Sequence, residues 1–289
     1  MILEQIRNDY HQAICEQIIR VRNINNQEIP NFADKDSKTS VRISQGIVER
    51  LPFPKIMEKS DHEIKEQTAG GLFERITKEF LQKTFDYLSH VRPGPWKYDL
   101  NKAISEFEQY SHLKYVADAI KTDQVLSSIL GGNYIITPDI VISRMPVSDA
   151  LINQNEKLLE ENSGIARYTP FRSKNYDSPK SILHASVSCK WTLRSDRSQN
   201  SRTEALNLIR NRKGNLPHVV AVTAEPYLNR LASLTLGTGD LDCVYHFALK
   251  ELIETIESFN DADMKFMLNT MVEGKRLRDI SDLPFDLSV

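Results

Sequence analysis

Ile182-Leu-His-Ala-Ser-Val-Ser-Cys-Lys-Trp-Thr-Leu193 is the stretch on which the fold turns. Leu183, Ala185, Val187, Cys189, Trp191 and Leu193 share one face of an extended chain, and His184, Ser186, Ser188, Lys190 and Thr192 share the other, because successive strand side chains point to opposite sides. One side is built to pack; the other is polar throughout. Working outward, the chain predicts a helix from about Ser201 to Lys213, ended by Gly214 where a helix C-terminus favours glycine. A buried-type strand follows over Val219 to Thr223, then an amphipathic helix from Asp242 to Phe259. Upstream, Tyr134-Ile-Ile-Thr-Pro-Asp139-Ile-Val-Ile-Ser-Arg144 reads as a strand, with Pro138 near its start where a missing N–H is tolerated. Strand, strand, helix, strand, helix defines an α/β core, expected as a mixed central sheet flanked by helices.

The first half reads mainly as helices: Ile2 to Val21, roughly Val41 to Leu51, Leu72 to His90 and Ala103 to Ile120. In the third, Phe73, Ile76, Phe80, Phe85 and Leu88 form one apolar stripe at helical spacing. Asn23 to Ser40, rich in Asn, Asp and Lys, reads as a long loop able to reach out from the body. No repeat, low-complexity segment or linker divides the chain. It is therefore expected to form a single domain over 1–289, with 1–130 mainly helical and 131–289 the α/β core.

Composition sets bounds. A net charge of -2 excludes a globally basic nucleic-acid binder, so any such contact must come from local clustering of Lys and Arg. One cluster exists: Lys190 to Lys213 holds Lys190, Arg194, Arg197, Arg202, Arg210, Arg212 and Lys213 against only Asp196 and Glu204. Arg210, Arg212 and Lys213 are candidate phosphate contacts. Cys15, Cys189 and Cys243 lie far apart without metal-site spacing, which argues against disulfides and zinc and for a reducing, cytoplasmic setting. The charged N-terminus is not read as a signal peptide, and no run approaches the ~18 apolar residues of a membrane span.

The chemistry-bearing residues lie around the opening strand. Hydrolysis of a phosphodiester calls for a hard divalent cation on carboxylate and carbonyl oxygens, with a lysine near the attacking water. Asp139 at one strand start and Lys190 on the polar face of the next could converge on one edge. A strand-initiating aspartate alone is more often a cap, but Glu204 stands fourteen residues after Lys190 on a helix that should pack back over the sheet. It can take the place of an acid missing at Ser188. Arg194-Ser195-Asp196-Arg197 follows the strand; two arginines suit guanine O6 and N7, and the aspartate suits cytosine N4. His184 reads as structural, Cys189 as a buried inert thiol and Trp191 as core. Gly237-Thr238-Gly239 reads as a turn before the Asp242 helix, and Tyr245 and His246 as ordinary members of that helix.

The PD of Pro138-Asp139, SCKWTLRSDR over 188–197 and the acid on the following helix resemble the CCGG-recognising branch of the PD-(D/E)XK type II restriction endonucleases. The resemblance extends through FADKDS (32–37), QTAGGLFE (67–74), HVRPGPW (90–96), LIRNRKGNLPHVVAVTAEP (208–226), GTGDLDCVYHFALKEL (237–252) and GKRLRDISDLPFDL (274–287). It implies a restriction-endonuclease-like core and Mg2+-dependent cleavage of double-stranded DNA, with two ions per site and Mn2+ able to substitute. Asp139 and the main-chain carbonyl of Cys189 would bind metal, Lys190 would position or activate water, Glu204 would replace the missing acid, Glu74 would support the site and Ser188 would line it. Arg194, Asp196 and Arg197 would read CCGG. Asp34, Gln67 and Arg230 match positions that read a flanking G·C pair, giving GCCGGC, cut before the first C of CCGG to leave four-nucleotide 5′ overhangs with 5′-phosphate and 3′-hydroxyl ends. FADKDS carries one residue more than the family's shorter ADGS, so a further contact falls to Asp36 or Ser37, of which Ser37 is expected because a second acid would repel phosphate. A palindrome implies at least a dimer, and the resemblance implies a tetramer and a cognate methyltransferase. The competing readings are a catalytically inactive DNA-binding protein and a structure-selective repair nuclease of the same fold.

Overall fold

The computed structural model describes residues 1–289 except 25, 59–63, 126, 127, 129–135, 161–163, 176, 194 and 238, and gives backbone alone for 121 and 195–199. Helix α1 (Ile2–Gln17) leads into a hairpin of β1 (Val21–Ile24) and β2 (Gln27–Pro30), followed by α2 (Lys38–Arg50) and α3 (Glu66–Tyr87). Then come β3 (Trp96–Leu100), the 3-10 turns Ile104–Glu106 and Glu108–Leu113, α4 (Lys114–Thr122), β4 (Ile140–Arg144) and the short α5 (Asp149–Ile152). The second half continues with β5 (Ile182–Lys190), α6 (Ser195–Asn211), β6 (His218–Thr223), α7 (Leu228–Thr235) and β7 (Cys243–His246). It closes with α8 (Leu249–Glu257), α9 (Ala262–Glu273), β8 (Leu277–Asp279) and α10 (Leu283–Asp286).

Strands β3 to β8 form one sheet in sequence order. β3, β4 and β5 pair antiparallel, and β5 through β8 pair parallel. This is the expected mixed α/β sheet, consistent with a restriction-endonuclease-like fold. Because β5, β6 and β7 are central and covered on both faces, even the polar side of the opening strand is shielded: Ser186 and Ser188 are buried. Trp191, Leu193 and Cys189 are buried as the alternation requires. His184 is structural, its Nε2 bonded to the Leu287 carbonyl at 2.7 Å, and burial lowers its pKa to about 4.

Four expectations are corrected. Asp242 to Phe259 is not one helix: Cys243-Val-Tyr-His246 is a wholly buried strand, and the helix starts only at Leu249. A short apolar run between two parallel neighbours lacks a period that would separate strand from helix, so Tyr245 and His246 belong to the sheet. Asn23 to Ser40 contains the β1–β2 hairpin, Val21 facing Pro30, with Asn26 in the left-handed conformation its turn needs (φ 63). Ala103 to Ile120 is helical only from Lys114, where α4 begins; before it lie two 3-10 turns, interrupted where fully buried Phe107 takes an extended backbone. The Asp139 strand starts at Ile140, and Tyr134 and Ile135 lie outside the described residues. β3 was missed: it follows Pro93-Gly94-Pro95 and alternates with Lys97 and Asp99, as a half-covered edge strand does.

Helix α1 packs on α3 and α2 on α8. At the second contact a Cβ on Gly46 would collide with the Thr255 side chain, so glycine sets how closely those helices approach. Trp191 sits within 5.2 Å of Phe73, 5.6 Å of Phe32 and 5.8 Å of Phe247, ring centre to ring centre. Phe73 precedes Glu74, Phe32 lies two before Asp34 and Trp191 follows Lys190. One aromatic cluster therefore anchors three polar segments side by side, with edge-to-face packing fixing their relative placement.

Candidate active site

β4 runs antiparallel to β5 with Ile140 opposite Val187, which brings the residue before β4 to the C-terminal end of β5. There Asp139 Oδ2 accepts from Lys190 Nζ at 2.8 Å and from the Cys189 backbone N–H at 2.7 Å. The two side chains are only 17% and 19% exposed, which leaves a charged pair mostly shielded but reachable. Burial works against the Lys190 ammonium, but Asp139 and then Glu204 outweigh it and hold the pKa above the ordinary lysine value. Lys190 is thus a cation at neutral pH.

Two further carboxylates face this pair. Glu74, on α3, accepts from Asn101 Nδ2 at 3.4 Å; burial and then repulsion from Asp139 raise its pKa. Glu204, on α6, is raised by burial and by Asp139, with Lys190 opposing. Asp139, Glu74 and Glu204, brought from three parts of the chain, therefore face one lysine, and among the described residues the acids outnumber the cations they couple to. Among the described residues no three His, Cys, Asp or Glu are already close enough to enclose an ion. The donor chemistry nonetheless fits one, because hard divalent cations take carboxylate and carbonyl oxygens and would relieve this repulsion.

The cleft above has a volume of about 1000 Å3 and is walled by Glu74, Lys190, Glu204, Asp34, Asp36, Gln67 and Arg230 among others. Residues from four distant parts of the sequence thus meet here. Arg230 Nη2 pairs with Asp34 across the cleft rim. Ser37 caps α2, its Oγ accepting from Ser40 N–H at 3.2 Å, while Asp36 lines the cleft. Ser188 is buried beneath the cleft with its Oγ 3.3 Å from Ser201 Oγ, not in its wall as expected. Arg194 lies outside the described residues; Asp196 and Arg197 fall in the first turn of α6, whose side chains there are not described. Lys213 lines a separate cavity with His112 and His218, away from the cleft, and Arg212 bonds the Ile209 carbonyl. Burial raises the Cys189 thiol well above its usual pKa, which makes it a poor nucleophile.

Two residues escaped sequence reasoning. Asn101, in the left-handed region (φ 49) that asparagine tolerates, gives its backbone N–H to the Asp139 carbonyl at 3.1 Å and its side chain to Glu74. Nothing in the local sequence signals it. Glu225 is fully buried, and its signal was a lone acid directly after an apolar strand.

A mixed sheet that delivers an aspartate and a lysine to one strand end, with helix-borne glutamates facing them, defines a nuclease of the restriction-endonuclease-like class. Comparison with known proteins narrows this. The model of the NgoMIV restriction enzyme family matches residues 10–289. The chain is 45% identical over 293 residues, covering 100% of this chain and 99% of the relative, to the type II restriction enzyme NgoMIV of Neisseria gonorrhoeae. The chain belongs to the NgoMIV restriction enzyme family.

Proposed function

We propose that this chain is a magnesium-dependent type II restriction endonuclease that cleaves double-stranded DNA at GCCGGC. It would act as one domain over its whole length and cut before the first C of CCGG to leave four-nucleotide 5′ overhangs. The observation that carries this is Asp139 held by Lys190 and Cys189 N–H beneath a cleft that also gathers Glu74, Glu204, Asp34 and Arg230.

Asp139, Glu204 and the Cys189 carbonyl are the groups that would hold Mg2+, or Mn2+ in its place, and the bound cation would supply acidity to water and offset charge on phosphate. The protein's own residues do the positioning. Lys190, kept protonated by Asp139 and Glu204, donates to the attacking water or to a phosphate oxygen, and does not serve as a base. Glu74, steadied by Asn101, orients from the opposite wall. Arg194, Asp196 and Arg197 read CCGG from the N-terminal end of α6, and Arg230, Asp34 and Gln67 read the outer pair. Ser37 Oγ accepts at the cap of α2 and keeps its hydroxyl proton to donate, so the extra contact of the FADKDS loop stays with Ser37. Arg210, Arg212 and Lys213 take no part at this cleft. Two-fold symmetry of the site requires a dimer at least; a tetramer and a partner methyltransferase follow from the family resemblance.

Digestion of a sequenced plasmid with and without Mg2+, with run-off sequencing of the ends, tests activity, target and overhang together. Absence of cutting under any divalent metal defeats the enzyme reading, and cutting without a fixed sequence defeats the target. Arg194→Ala should cost about 1–3 kcal/mol on the cognate duplex and far less on random DNA, measured by competition binding.

A further inference from the structure

Glu225 follows β6, and its carboxylate is shielded from solvent altogether. Oε2 accepts from Leu193 N–H at 2.7 Å and Oε1 from Tyr227 N–H at 3.0 Å. Leu193 is the residue immediately before Arg194. Tyr227 is the N-cap of α7, three residues before Arg230. Arg230 Nη1 lies 3.8 Å from Glu225 Oε2 while its Nη2 pairs with Asp34. One carboxylate is therefore bonded to the chain entering one proposed reader and to the helix carrying the other.

We propose that Glu225 is a positioning residue that fixes the 194–197 reader and the Arg230–Asp34 reader in one register, so that recognition of the inner and outer base pairs is coupled through it. The inference rests on the proposed reading of those two segments as base readers. An ionised carboxylate is acceptor-only and can take both N–H groups at once. An amide would set an N–H against one of them and lose the counter-charge to Arg230, so the shape-conserving Glu225→Gln breaks the link without leaving a cavity. Burial pushes the Glu225 carboxyl up to about 7, with the two backbone N–H groups and Arg230 opposing. Its retention as a carboxyl at that cost fits a geometric duty better than a packing one.

The test compares cleavage rates of wild type and Glu225→Gln on three duplexes: GCCGGC, the same with only its outer pairs exchanged, and the same with one inner pair exchanged. Melting temperatures are measured alongside. The expected result is a loss of at least about tenfold in preference over both altered duplexes, with the melting temperature held within a few degrees. Unchanged discrimination, or loss at the outer pair alone, overturns the coupling, as does a uniform drop on all three duplexes.

If Glu225→Gln does not fold, the wild type supplies the readout. Its preference should fall severalfold from pH 8 to pH 6 as Glu225 takes up a proton, and a constant preference overturns the proposal. The groups facing Glu225 are Arg230 from α7, Asp34 from the loop after β2 and His246 at the end of β7. His246 is held at about 4 by burial, so it does not titrate in this window. Asp139, Glu74, Glu204 and Lys190 act on the same phosphodiester in every duplex, and their titration cancels from the ratio. A wild type with no preference for GCCGGC defeats the proposed function itself and takes this inference with it, a result distinct from a Glu225→Gln protein that discriminates like wild type.

Discussion

Two ion clusters in this molecule share an architecture but differ in electrostatic outcome. At the junction of α1, α8 and β8, Arg7 bonds Glu251 and Asp279 in forked geometry at 2.7–2.9 Å, with all three side chains no more than 15% exposed. Burial opposes the charges there, yet the Arg7 contacts win and both carboxyl pKa values fall below their usual range. In the cleft one lysine faces three carboxylates, and there Glu74 and Glu204 rise. A planar guanidinium satisfies two acids at once, whereas a single ammonium engaged with Asp139 leaves the other two under-compensated. The first cluster holds elements together; the second, among the described residues, gathers carboxylates whose pKa values are raised, and perturbed groups of that kind gather at functional sites.

Removing the cation of each cluster separates these roles. Lys190→Ala should lower the cleavage rate by about 10^3-fold or more while DNA affinity stays within about tenfold, read by single-turnover cleavage and by binding under non-cleaving conditions. Loss of both in proportion would make the cleft cluster structural after all. Arg7→Met should cost about 3–5 kcal/mol of stability, because two buried carboxylates lose their partner, in denaturant unfolding at pH 7. Since the Glu251 and Asp279 pKa values are lowered by folding, this stability is present above their unfolded values near 4 and is lost as pH falls further. The gap between wild type and Arg7→Met should therefore close in acid.

Smaller effects sharpen the contrast. Glu225 has a raised folded-state pKa, so its contribution is fully present below the unfolded value near 4.5 and is lost as pH rises through about 7. The stability of wild type relative to Glu225→Gln should fall over that window by on the order of 2–3 kcal/mol, followed by thermal unfolding at pH 5 and pH 8. Glu204→Gln should raise the melting temperature in metal-free buffer at pH 8 by roughly 1–3 °C, with the gain fading at pH 5 and cleavage abolished. A fall in melting temperature would show that the cleft carboxylates stabilise the fold as Glu251 and Asp279 do.

Legibility of the sequence followed the range of the interaction involved. β5 and the packed face of α3 could be read because their periods are written within ten or so residues, and β6 because its apolar run is short and bounded by turn residues. β7 could not, because a strand buried on both faces shows no alternation, and the Phe107 break could not, because the backbone there is held by a remote partner, Glu108 N–H bonding the Ser181 carbonyl at 3.0 Å. Asp139, Lys190 and Glu204 were read from strand position and helix spacing. The capping role of Ser37 was not legible, since capping depends on where α2 starts and the residues alone put that start three residues later.

The sequence by itself determined which residue types stand on which side of the Ile182 to Leu193 strand, because alternation is a local property of the extended backbone. It also fixed membership of the NgoMIV restriction enzyme family, through motifs running almost the length of the chain. Only the tertiary structure decided that Glu74 and Asp34 line one cleft with Lys190, that Glu225 joins Leu193 to Tyr227, and that Ser188 is buried against Ser201. Those outcomes depend on strand order and on the aromatic cluster around Trp191, which sets segments more than a hundred residues apart at contact distance, and no local pattern encodes that.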